Sequence, residues 1–211
     1  MGQTTPTVTS LSCTPSYNEI ACSANITDDG NLSIREKCFL YLIASSGDPT
    51  TSSNHGSAYV TGSSLGEGVY SNTLTGLTPD TDHRVRGYAT NTEGVGYTTT
   101  QTVRTSRIVD NPTVVSNNGD SLDLSSSAQS GVDITKRGFV YLNGTSGDPT
   151  YASNNGYVED TGTLSTGAFT KTITGLTPEA DYRVRAFTYS ASYGYQYSQT
   201  VDIKTASISG I

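Results

Sequence analysis

The chain has 211 residues, a formal net charge of -7 and a pI near 4.6, a balance that argues against general affinity for nucleic-acid phosphates or anionic membranes. The length allows one large domain or two of about 100–150 residues. No run approaches the roughly 18 apolar residues of a membrane span, so no membrane insertion is expected.

Met1-Gly2-Gln3-Thr4-Thr5 looks like a myristoylation start, but Pro6 stands where Ser or Thr is required, and lipidation is set aside. No charged, then apolar, then small-residue segment opens the chain. The expectation is either a signal already removed or a route that needs none, such as release of a virion protein by lysis.

From Pro6-Thr7-Val8 onward, short alternating runs are separated by Gly, Asn, Asp and Pro clusters, with no long helical period. Ile20, Cys22, Ala24 and Ile26 alternate on one face of a strand, and Asp28-Asp29-Gly30-Asn31 supplies its turn. In Phe39-Leu40-Tyr41 the two aromatic rings share one face and are placed in the core. The proline of Ser46-Gly47-Asp48-Pro49-Thr50 removes a backbone donor and marks the strand's exit into a long connection. Gly62 to Gly68 reads as a hairpin loop. Gly76-Leu77-Thr78-Pro79 and His83-Arg84-Val85-Arg86 close the first half.

The second half repeats these signals. Leu122 and Leu124 match the alternating strand, and Phe139-Val140-Tyr141 matches the aromatic one. Ser146-Gly147-Asp148-Pro149-Thr150, Gly175-Leu176-Thr177-Pro178 and Tyr182-Arg183-Val184-Arg185 then follow at matching spacings. Two modules result, 6–105 and 112–205, with an extended segment 1–5, a linker 106–111 too short for large free motion, and a tail 206–211. The modules are expected to stand end to end.

Leu176, Pro178 and Tyr182 have the spacing of a tyrosine corner, in which Tyr182 would bond a backbone group upstream. With Cys22 to Gly30, Arg137 to Tyr141, Gly175 to Pro178 and Tyr182 to Ala186, the chain resembles tandem fibronectin type III-like modules of the bacterial and phage type. The resemblance implies an all-β fold of two tandem β-sandwich domains and says little about activity. His83 replaces the corner tyrosine in the first module, where a less firmly held corner is expected.

No catalytic, cofactor-binding or metal-binding residues are assigned. His55 and His83 lack ligand or triad spacing, Asp28, Asp29 and Asp48 read as turn formers rather than calcium ligands, and the glycine-rich stretches lack the lysine of a phosphate loop. Cys13 and Cys22 flank a turn and are the first choice for a disulfide; Cys22 with Cys38 is the rival, and three reduced thiols remain open. The second module has Leu122 and Gly138 where Cys22 and Cys38 stand. Arg84, Arg86, Arg183 and Arg185 project outward and are expected to pair with carboxylates. Tyr189, Tyr193, Tyr195 and Tyr197 either form rigid contact area for proteins or sugars or line the core by alternation. Asn25, Asn31 and Asn143 match the N-glycosylation pattern.

The first expectation for function is a non-catalytic subunit of an extracellular fibre or filament, a homo-oligomer joined by terminal strand addition through Thr4, Thr5, Thr7, Val8, Ile208 and Ile211. A virion decoration or tail protein and a carbohydrate-binding or spacer module are the alternatives. The corresponding partners are glycans or a host or virion surface, and the setting is extracellular, cell-surface or virion.

Overall fold

The computed structural model describes residues 2–61 and 65–208, and every regular element among them is a β-strand. The chain divides into two compact units, Met1–Ser106 and Arg107–Ile211.

In the first unit, β1 (Thr7–Pro15), β2 (Ile20–Asp28) and β5 (Gly68–Leu74) form an antiparallel sheet in the order β1-β2-β5. The second sheet joins β4 (Gly56–Tyr59), β3 (Glu36–Leu42), β6 (Asp82–Asn91) and β7 (Gly94–Tyr97), with β8 (Gln101–Arg104) also on β6. Alternation drives the packing: Ile20, Cys22, Ala24 and Ile26 turn inward from β2 and meet Phe39, Val85, Ala89 and Val103 from the facing sheet. Each fully buried large side chain of this kind contributes about 2 kcal/mol. Phe39 stacks on Tyr70 at 5.0 Å across the sandwich.

The second unit repeats the plan with β10 (Ser121–Ala128) between β9 (Thr113–Asn117) and β13 (Gly167–Thr174). Its other sheet orders β12 (Gly156–Leu164), β11 (Ile134–Asn143), β14 (Asp181–Ser190) and β15 (Gly194–Tyr197), with β16 (Val201–Lys204) on β14. Phe139 faces Phe169 across the core at 5.4 Å. In both units the fourth strand pairs with the third rather than with the fifth, which separates this order from the four-plus-three sheets of immunoglobulin constant domains. Both units are fibronectin type III-like sandwiches.

Two sequence expectations need correction here, whereas the short linker 106–111 is held by contacts along its length. The Ser106 N–H donates to Ser16 in the first unit, whereas Ile108 and Val109 are fully buried in the second, where Val109 bridges to Ala128. Thr7 and Val8, expected as an assembly strand, open β1, and Val8 is buried in its own core. Thr4 donates to Gly30 and accepts from Asn91 at 2.7 Å, so this segment is already engaged within its own unit. Finally, Cys22 corresponds to Leu124 rather than Leu122. Ile20 sits opposite Leu74 as Leu122 sits opposite Ile173, two residues before each. Ile211, and Gly62 to Ser64 of the hairpin loop, lie outside the described residues.

Candidate functional site

The repeated Ser-Gly-Asp-Pro-Thr segment and the Arg-x-Arg strand are two halves of one clamp. Val85 and Val184 point into the cores, so the flanking arginines project from the opposite face, as the alternation expects. In the first unit the Asp48 carboxylate accepts the Thr100 hydroxyl at 2.6 Å and pairs with Arg84 at 3.1 Å and Arg86 at 3.7 Å. In the second, Asp148 accepts Thr200 at 2.7 Å and pairs with Arg183 at 3.0 Å. Both aspartates are held below the usual carboxylate range, first by the threonine hydroxyl. The clamp folds each loop over the outer sheet face, where the Tyr97 and Tyr197 hydroxyls accept the Thr51 and Tyr151 amides at 3.1 and 2.8 Å. Arg84, Arg86 and Arg183 are thereby committed to loop anchoring, while Arg185 donates to the Ser198 carbonyl at 2.8 Å.

What lies under the loops differs between the units. In the first, Cys38, Leu40 and Tyr88 form a small buried cluster flanked by Val95 and Tyr97. In the second, a row of tyrosines occupies the outer face. Tyr189 and Tyr195 are directly opposed on β14 and β15, and Phe187 opposes Tyr197. Tyr151 stacks on Tyr195 at 4.4 Å and meets Tyr157 at 4.8 Å, while Tyr189 meets Tyr195 at 4.8 Å. Arg185 lies over the Tyr197 ring at 4.7 Å and Lys136 over Tyr151 at 4.8 Å. The Lys136 ammonium donates to the Tyr151 hydroxyl at 3.0 Å, and that hydroxyl donates to Glu159 at 3.3 Å. These bonds favour charged Lys136, whose pKa is raised chiefly by Tyr151. Tyr157 is 46 % exposed at the edge of the row.

Of the four tyrosines singled out from sequence, Tyr189, Tyr195 and Tyr197 therefore share the outer face and none lines the core. Tyr193 precedes β15 in the turn, its N–H donating to Ser190 at 3.2 Å. Tyr151, Tyr157, Lys136 and Glu159 were missed. Tyr157 faces outward because it opposes Val140, which alternates with the inward Phe139 and Tyr141, a pairing that periodicity alone does not give, and Tyr151 joins only because the clamp folds its loop back. At the matching positions the first unit carries Glu36, Thr51, Ser57, Tyr59, Thr90 and Val95, so no such row forms there.

The remaining assignments fall on the scaffold. The Tyr182 hydroxyl accepts the Thr177 N–H at 2.9 Å, and its ring meets Tyr141 edge-on. His83 fills the same corner, fully buried, with Nδ1 against the Thr81 carbonyl at 2.8 Å and Nε2 without a partner. His55 is exposed and its Nδ1 accepts the Ile43 N–H at 2.8 Å, a task that Asn155 performs for Asn143. Both histidines are thus occupied by local structure.

The Asp28, Asp29 and Glu67 carboxylates lie within 4.8 Å of one another, but they cap turn amides of Gly30, Asn31 and Asp29 respectively. Turn formation accounts for the cluster. Asn31 and Asn143 are exposed, and Asn25 is half-buried on central strand β2. A shallow depression of about 410 Å³ lies along β9, β10 and β13, where Asp123 is occupied by Ser116 and Thr172, and Lys171 by Asp160.

Cys13 and Cys22 face each other in register on β1 and β2 with their sulfurs 2.6 Å apart, both as free thiols. Cys38 belongs to the outer cluster with Tyr88, on the far side of its sheet from the core that holds Cys22, which disposes of the rival pairing.

No protein-family model matches the chain, and no curated protein does. Among solved structures, the chain is similar to the FN1–FN3 domains of chicken CNTN1, at 15 % identity and a TM-score of 0.36, covering 97 % of this chain and 66 % of that one. It is likewise similar to a segment of two fibronectin type III domains from chicken tenascin, at 15 % identity and a TM-score of 0.38, covering 95 % of this chain and 99 % of that one. The chain thus spans just under two thirds of the CNTN1 segment. The fold assignment rests on strand order and register.

Proposed function

We propose that this protein is a non-catalytic recognition protein whose second sandwich binds saccharide through the tyrosine row on its outer sheet, while the first serves as a spacer. The single observation that carries the reading is the row itself, built from Tyr151, Tyr157, Tyr189, Tyr195 and Tyr197 in one module and lacking in its otherwise similar twin.

A pyranose offers an apolar C–H face rimmed by hydroxyls. Tyrosine matches both halves, since its ring gives rigid apolar area and its phenol a donor and acceptor. Lys136 and Glu159 add a charged donor and an acceptor beside the rings. Asp48 and Asp148 with their arginines are spent on the clamps, and His55 and His83 on local structure, so the reading draws only on the rings and the Lys136–Glu159 pair. The setting that suits this reading is a cell surface or virion exterior.

The test is retention of the intact purified chain on an array of polysaccharides and oligosaccharides, alongside Tyr157→Ala. Binding by the parent that the variant loses supports the reading. No retention on any glycan by a folded chain overturns it.

A second reading, assembly into a fibre by strand addition, draws on a different surface. β9 is an outer strand of its sheet, and its Val114 and Val115 are 39 and 62 % exposed. The occupant would be the C-terminal segment of another copy around Ile208, which is 55 % exposed. Filaments formed by the parent and abolished by Val115→Lys would favour it.

A further inference from the structure

We propose that Cys13 and Cys22 are a redox-closed site, joining into a cross-strand disulfide between β1 and β2 when the protein meets a small-molecule disulfide of the oxidised-glutathione class. The two residues are directly opposed in the ladder, and their sulfurs already touch at 2.6 Å, so closure requires no strand movement. Cys13 is half-exposed and Cys22 buried, which divides their roles. The hydrogen bond with Cys13, and then burial, push the Cys22 thiol well above the ordinary range, leaving the half-exposed Cys13 as the accessible attacker.

The exchange balances in two steps. Cys13, having lost its proton to solvent, attacks one sulfur of the small disulfide; the S–S bond breaks and one small thiolate leaves, giving a mixed disulfide. Cys22 then loses its proton, attacks the Cys13 sulfur and expels the second small thiolate. Two protein thiols are oxidised, one small disulfide is reduced to two thiols, and Cys38 takes no part. Its sulfur donates to the Phe39 carbonyl, and the residue is fully buried among Leu40 and Tyr88.

The second module shows that the fold does not need a cysteine here. Val114 stands opposite Leu124 at the position of the pair, so an apolar contact suffices to pack this ribbon. The thiols therefore add a covalent option to a site that otherwise requires only shape. Closure would tie a short loop across the β1–β2 turn and limit the unfolded chain, raising the thermal midpoint of the first unit.

The experiment incubates the intact chain with oxidised glutathione or with dithiothreitol, unfolds it, alkylates without reductant and maps peptides by mass spectrometry, with thermal unfolding in parallel. The expected result is a linked Cys13–Cys22 peptide, loss of the mass of two hydrogen atoms, alkylation of Cys38 alone and a higher midpoint in the oxidised sample. The double variant Cys13→Val with Cys22→Leu, copied from the second module, should fold and show no redox-dependent shift. Alkylation of all three thiols after oxidation, a stable glutathione adduct on Cys13 with no link to Cys22, or a link to Cys38 would overturn the proposal.

Discussion

Asp48 and Thr100 lie 52 residues apart in the chain and meet at 2.6 Å, and Asp148 and Thr200 repeat the contact at 2.7 Å. Each pair holds a long connection onto the outer face of its sheet, with arginine from β6 or β14 completing the clamp. Because the hydroxyl bond and the arginines favour the ionised form, each carboxyl titrates below its unfolded value. The sign is that of a depressed acid: the contribution is present above the unfolded pKa of about 3.9 and is lost as pH falls through the lower folded value. Asp148→Asn should flatten the acid limb of the second unit's unfolding below about pH 4. It should also unpin the loop that carries Tyr151, so faster amide exchange at residues 144–152 is the accompanying readout.

The two corners differ by one side chain, and the difference is testable in both directions. Tyr182→Phe removes the acceptor of the Thr177 N–H and should cost about 1–3 kcal/mol in denaturant unfolding of the second unit. His83→Tyr supplies a phenol that can reach Thr78, the counterpart of Thr177, and replaces a buried unpaired Nε2; a gain of about 1 kcal/mol is expected in the first unit.

His83 also gives the first unit its own acid sensitivity. Burial lowers its pKa against the opposing effect of the Thr81 carbonyl, so the folded state resists a proton that the unfolded chain accepts. Stability is then complete above the unfolded histidine value of about 6.5 and falls as pH drops toward the folded one. Thermal unfolding between pH 7 and 5 should show this slope in the parent and lose it in His83→Tyr.

Gly96 tests the engagement of the N-terminal segment. A Cβ at this position would stand 1.8 Å from the Pro6 carbonyl oxygen, and backbone cannot yield as a flexible side chain does. Gly96→Ala should therefore displace residues 4–6 and expose them to proteolysis while β1 from Val8 onward stays protected. Gln196 occupies the matching position of the second unit, so a close approach of this kind belongs to the first.

Much of this architecture was legible in the chain. Alternation in Ile20 to Ile26 and Phe39 to Tyr41 identified core faces, and the Leu176, Pro178 and Tyr182 spacing identified a corner, because each depends on local periodicity or fixed chain geometry. The outward course of Arg84 and Arg86 followed from Val85 between them. Three features depend instead on long-range closure. Tyr151 reaches the tyrosine row only when Asp148 finds Arg183 and Thr200, and Thr4 finds Asn91 across 87 residues. The segment 106–111 reads as a linker because its two apolar residues, Ile108 and Val109, are too few to show a period, yet both are buried.

The most direct test of saccharide recognition is calorimetric titration of the best-retained oligosaccharide into the intact parent, Tyr157→Ala and Tyr59→Ala. Tyr59 is comparably exposed, at 52 %, but belongs to the first unit and serves as the control. The account predicts that Tyr157→Ala weakens binding by about tenfold or more, the equivalent of about 1.4 kcal/mol, and that Tyr59→Ala matches the parent. Equal affinity in all three proteins, or loss on substitution of Tyr59 alone, would contradict it.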